Sequence, residues 1–125
     1  MFTFVWIKTN IMIVQKIKTT DQDILLVAQK YYGILSVINK LNLTEREIQL
    51  VAFTAVKGNI TYGNVRDEFC KRYNTSTSTI NNIISKLKKM GVFIKEQGKV
   101  KINPVIVLDF KQDVMLEIKL ENEAS

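Results

Sequence analysis

Hydrophobic positions change their spacing several times along this 125-residue chain, and each change marks an element. Residues 11–18, I-M-I-V-Q-K-I-K, roughly alternate, with Ile11, Ile13 and Ile17 on one side, which predicts a strand. Thr20 and Asp23 resemble a capping box with aspartate in place of the usual glutamate, opening a helix over 21–40. Ile24, Val27, Ala28, Tyr31, Ile34, Leu35 and Ile38 keep helical spacing there, and Leu25, Leu26 and Tyr32 broaden the stripe. So wide an apolar face belongs either to the central helix of the domain or to a dimer contact.

Stronger start signals follow. Thr44 and Glu47 form a capping box, and Leu43 and Ile48 occupy the two positions of a hydrophobic staple. Ile48, Val51, Ala52, Ala55 and Val56 make the expected buried stripe, and Gly58 supplies a left-handed stop. After a brief extended link at Asn59 and Ile60, Thr61 is the expected cap of a short helix reaching about Arg72, with Val65, Phe69 and Tyr73 facing inward. Only Tyr73, Asn74 and Thr75 separate that helix from Ser76, the expected cap of the next. Two helices joined by so short a turn cross steeply, as in a helix-turn-helix. The second of them, over 76–90, buries Ile80, Ile83, Ile84 and Leu87 and stops at Gly91. Then V-F-I-K-E, Gln97-Gly98 and K-V-K-I-N predict a β-hairpin over 92–103, which Pro104 ends. Alternation returns at Val114, Leu116, Ile118 and Leu120. The strands 11–18 and 114–120 each have one apolar face, and they are expected to pair with each other, within the chain or across a dimer.

Length suits a single domain over 1–125, with a core unit at 43–104, a strand and helix at 11–40, and a strand and tail at 105–125. Met12 is a second candidate start, which would make residues 1–11 a dispensable extension. The oily N-terminal stretch is interrupted by Lys8 and lacks a basic leader and a small-residue cleavage site, so it does not read as a signal peptide. No apolar run is long enough to span a bilayer, and no membrane partner is expected. The lone Cys70 excludes an internal disulfide and suits a reducing cytoplasm. With no histidine, Cys-His and Ser-His nucleophilic pairs and imidazole metal sites are excluded. The five glycines are scattered, the carboxylates form no paired motif, and Cys70 reads as a small buried hydrophobe. No enzyme, metal or cofactor is expected.

Charge changes the picture more. Residues 61–101 hold nine basic and three acidic residues, so the whole net charge of +6 falls in one third of the chain. A surface that meets a polyanion has this distribution. Helix 76–90 opens with hydroxyls and amides, short groups that donate and accept hydrogen bonds and suit the base edges of the DNA major groove. Capping accounts for Ser76 alone. It leaves Thr77, Ser78, Asn81 and Asn82 unexplained, while Lys86, Lys88 and Lys89 further along the helix fall near phosphate or solvent, although lysines there also suit the helix dipole.

These residues resemble a family. S-T-S-T-I-N-N-I-I-S-K-L-K-K-M-G-V-F-I is similar to the recognition helix and first wing strand of winged helix-turn-helix proteins, and L-T-E-R-E-I to the way their first helix begins. The exit K-I-N-P is similar to that of phage and plasmid replication and regulatory proteins. The resemblance covers about 43–104. It implies an α+β fold of three helices and a hairpin wing, here with an extra N-terminal helix and terminal strands, that binds double-stranded DNA in transcription or replication control. It places Thr77, Ser78, Asn81, Asn82 and Lys86 at base or backbone contacts, and Lys95, Lys99 and Lys101 on the wing near phosphates or the minor groove. Recognition helices of this kind often carry arginine for guanine, and this one has none. The site is then A·T-leaning, or read weakly by shape, or the unit is a protein-interaction platform. A homodimer would form through helix 21–40 or the terminal strands.

Overall fold

The computed structural model describes the backbone of residues 2–7 and 12–17 and the whole of residues 23–107. Strands β1 (Phe2–Ile7) and β2 (Met12–Ile17) form an antiparallel hairpin, with Phe2 opposite Ile17 and Ile7 opposite Met12. The strand at 11–18 is therefore present, and its neighbour is β1, from the stretch that a start at Met12 would make dispensable. Pairing with a neighbour close in sequence costs less loop-closure entropy than pairing across the chain. The partner expected at 114–120 lies outside the described residues.

Helix α1 (Ile24–Ile38) starts at Asp23, whose carboxylate accepts from the Leu25 N–H at 2.9 Å. The cap expected at Thr20 is replaced by the aspartate itself, and Thr20 lies outside the described residues. Of the expected stripe, Ala28 is buried and Ile24, Val27, Tyr31 and Leu35 pack against the core, but its edge at Ile34 and Ile38 does not. Leu25, Ala28, Tyr32 and Ser36 point inward, whereas Ile34 and Ile38 are exposed. Where apolar residues surround a helix, spacing alone leaves its phase open. The deciding groups here are polar: the Tyr32 hydroxyl donates to the Ile106 carbonyl at 2.8 Å, and Ser36 Oγ accepts from the Leu43 N–H at 3.0 Å.

Helix α2 (Glu45–Lys57) has the expected capping box between Thr44 and Glu47, and ends at Gly58 with φ +95°. It is buried more widely than the expected stripe, through Leu50, Val51, Ala52, Phe53 and Thr54, because α1 covers one side and the following elements the other. Helices α3 (Gly63–Tyr73) and α4 (Thr77–Lys89) follow, then strands β3 (Phe93–Glu96) and β4 (Lys99–Ile102) and one 3-10 turn over Pro104–Ile106. One apolar cluster draws on all four helices and both of these strands, with Phe53, Phe69, Ile80, Leu87 and Phe93 near its centre. The fold is α+β, four helices followed by an antiparallel hairpin wing, and its α3–α4 pair is a helix-turn-helix.

Thr61 does not cap α3. That helix begins at Tyr62 without a side-chain cap. The Thr61 hydroxyl instead accepts from the Val100 N–H at 2.6 Å, while the Ile60 N–H donates to the Val100 carbonyl at 3.0 Å. The extended link between α2 and α3 thus lies along the outer edge of β4 and fastens the wing to the helices.

Candidate nucleic-acid interface

The turn between α3 and α4 is held from three sides. Asn74 takes a left-handed conformation, φ +50°, in which its N–H donates to the Cys70 carbonyl. Asparagine tolerates this backbone better than most residues because its short polar side chain can bond locally. Arg46 of α2 donates to the Tyr73 carbonyl at 2.6 Å, and Gln29 of α1 donates to the Tyr73 hydroxyl at 2.9 Å. Arg72 pairs with Asp23 at 2.8 Å, so one carboxylate caps α1 and anchors the end of α3. The orientation of α4 is thereby set by polar ties as well as by its buried face.

Ser76 is the N-cap of α4, its Oγ accepting from the Thr79 N–H at 3.3 Å. Ile80, Ile83, Ile84 and Leu87 are buried as expected. Helical spacing puts Ser78, Asn82, Ser85 and Lys89 in one outward stripe opposite them, and all four are exposed. Thr77 is exposed at the start of the helix. Among the described residues the Asn82 amide has no protein partner. Ser85 is absent from the contacts expected from sequence, although its place seven residues after Ser78 puts it in the same stripe.

The flanks of α4 are occupied differently. On one side the Asn81 Oδ1 accepts from Arg66 Nη1, while Arg66 Nε donates to the Ile60 carbonyl at 2.9 Å. On the other side Lys86 Nζ lies 2.8 Å from Glu47 Oε2. The Glu47 side chain is 5 % exposed. Burial raises its pKa, but the bonds from Lys86 and from Thr44 outweigh this and hold it below the ordinary carboxylate value. Lys86, expected near DNA, thus has its ammonium engaged by a carboxylate of the protein itself. Arg66 enters the sequence reading only as a unit of charge. Nothing in local spacing joins it to Asn81, fifteen residues away.

The wing turns at Gln97 and Gly98, both at positive φ (+52° and +77°), the primed turn that matches the twist of a two-residue hairpin. Its register separates Lys95 from Lys99 and Lys101. Lys95 faces Val100 and shares the side of Phe93 and Ile102, while Lys99 stands opposite Glu96 and shares the other side with Lys101 and Ile94. Lys95 and Lys99 are exposed, and Lys101 is half-buried.

Of the nine basic residues in 61–101, Arg72 and Lys86 are ion-paired and Arg66 is hydrogen-bonded. Lys71, Lys88, Lys89, Lys95 and Lys99 are exposed, without ion-pair partners among the described residues. Among those residues no group of three or more His, Cys, Asp or Glu could hold a metal, and no helix is long and apolar enough to cross a membrane. Comparison with protein-family models, with curated proteins and with solved structures gives no match for this chain.

Proposed function

We propose that this chain is a DNA-binding protein of winged helix-turn-helix type that acts in transcription or replication control. Helix α4 enters the major groove and the wing over 92–103 meets phosphate. The observation that supports this reading most is the composition of α4's outward face. It runs from hydroxyl and amide groups to lysine, and α4 contains no acidic residue. A helix selected for stability alone gains from Asp or Glu in its first turn, where the dipole is positive. Omitting them keeps that end open to an anionic partner, and the polar stripe offers both donors and acceptors to base edges.

A second reading, a protein-interaction platform, is favoured by α1. Leu26, Ile34, Val37 and Ile38 are exposed along it, Val37 to 79 %. This face suits a homodimer contact, which is compatible with DNA binding as well as an alternative to it. One titration separates the two. Binding to random duplex DNA should fall steeply with salt if phosphates are neutralised, whereas apolar docking lacks that slope. On the best site Asn82→Ala should cost about 1–3 kcal/mol, with little loss on random duplex and none in thermal stability. Ser76→Ala should lower stability instead, by about 0.5–2 kcal/mol. If binding is insensitive to salt and Asn82→Ala is silent, the platform reading replaces the DNA reading.

A further inference from the structure

Asn81 and Asn82 are adjacent in sequence, but the structure gives their amides different chemistry. A guanidinium has only donors, so the Asn81 atom facing Arg66 Nη1 is fixed as the acceptor oxygen. With one lone pair of that oxygen engaged, the Asn81 NH₂ group has no protein partner among the described residues. The two-bond grip on adenine needs an amide donor and an amide acceptor side by side, and at Asn81 Arg66 competes for that acceptor. Asn82 keeps both.

Arg66 is likewise constrained. Its Nε is tied to the Ile60 carbonyl at 2.9 Å and its Nη1 to Asn81, and its Nη2 has no protein partner among the described residues. The groups that Arg66 and the Asn81 NH₂ leave unpaired are all donors. In the major groove adenine mixes an acceptor with a donor, cytosine offers a donor, and thymine offers one acceptor beside a methyl group. Guanine alone presents two neighbouring acceptors, N7 and O6. We infer that the unpaired N–H groups of Arg66 and Asn81 form a composite donor reader that selects a guanine next to the position read by Asn82. The arginine missing from α4 is supplied from α3. This rests on the DNA-binding reading above.

A purely electrostatic phosphate contact needs charge but not this orientation. The two bonds that fix the guanidinium plane suit a base edge, where a lysine is no substitute for the planar fork. Arg66→Lys is therefore the decisive variant. The experiment selects the preferred duplex from a randomised library with the wild-type chain, then measures its affinity for that site, for each single-base change in it, and for random duplex across salt. The wild type should prefer guanine over adenine at one position by about 5- to 150-fold. Arg66→Lys should abolish that preference while leaving random-duplex affinity and the salt slope unchanged. Asn81→Ala, an exposed change that stays informative if Arg66→Lys fails to fold, should reduce the same preference. Asn82→Ala should leave it intact.

Retention of guanine preference in Arg66→Lys overturns the inference. So does a wild-type site at which no guanine matters, and both results leave salt-dependent DNA binding standing. Loss in Arg66→Lys with full retention in Asn81→Ala overturns the composite. Absence of salt-dependent duplex binding by the wild type overturns the DNA reading and this inference together.

Discussion

The Glu47 carboxylate accepts from the Thr44 N–H at 2.8 Å and from Lys86 Nζ at 2.8 Å, closing the start of α2 and tying it to α4. Its pKa is lower in the folded chain than its ordinary value of 4.5, so the folded state favours the ionised form. Such a group contributes stability above the unfolded pKa and loses it as pH falls through the folded value. Glu47→Gln keeps an acceptor for Thr44 but removes the charge. It should cost about 1 kcal/mol at neutral pH, a modest figure because the Lys86 side chain is 53 % exposed. Below about pH 4.5 the gap to wild type should narrow, as measured by denaturant melts across pH. Parallel stability curves would remove Glu47 from the acid response. The Thr44–Glu47 box is legible in sequence because both partners are three residues apart. The Lys86 bond spans two helices, and the sequence leaves that lysine to the dipole or to DNA.

At the scale of elements, Thr61 shows where local signals compete. A threonine shortly before a helical run has the pattern of an N-cap. Its hydroxyl found a better use on the Val100 N–H, which otherwise lacks an acceptor at the outer edge of β4. Thr61→Val preserves shape and leaves that N–H unpaired. It should destabilise the chain by about 1–2 kcal/mol in chemical denaturation, while Thr61→Ser should stay close to wild type. Equal stability of the valine variant would mean that water replaces the hydroxyl. The elements themselves were readable wherever breakers or caps lie within a turn of what they govern: Gly58, Asn74–Ser76, Gly91 and Gln97-Gly98 all mark observed boundaries. Phase was readable in α4, whose stripe is narrow, and only in part in α1, where Leu25 and Tyr32 rather than Ile34 and Ile38 complete the inward face. The wing lysines illustrate the same limit. Clustering in sequence put Lys95, Lys99 and Lys101 together, and a period of two in the strands parted Lys95 from the other two.

For the whole molecule, the bonds joining Ile60 and Thr61 to Val100 link two segments some forty residues apart. A wing tied to the helices only through its connecting loops could swing as an arm. Here its base shares a buried seam with the helices, since Ile60 is fully buried and Val100 nearly so. Detaching the hairpin would expose this seam along with Phe93 and Ile102, a step close in cost to opening the core. Amide hydrogen exchange reads that cost directly. The Ile60 and Val100 amides should exchange near the slowest rates in the chain, together with those of α2, while the Gln97 and Gly98 amides at the exposed tip exchange early. Rapid exchange at Ile60 beside a protected α2 would show that the wing opens on its own. Slow exchange at both would mean that the wing's placement relative to α4 is set when the chain folds, before any partner arrives.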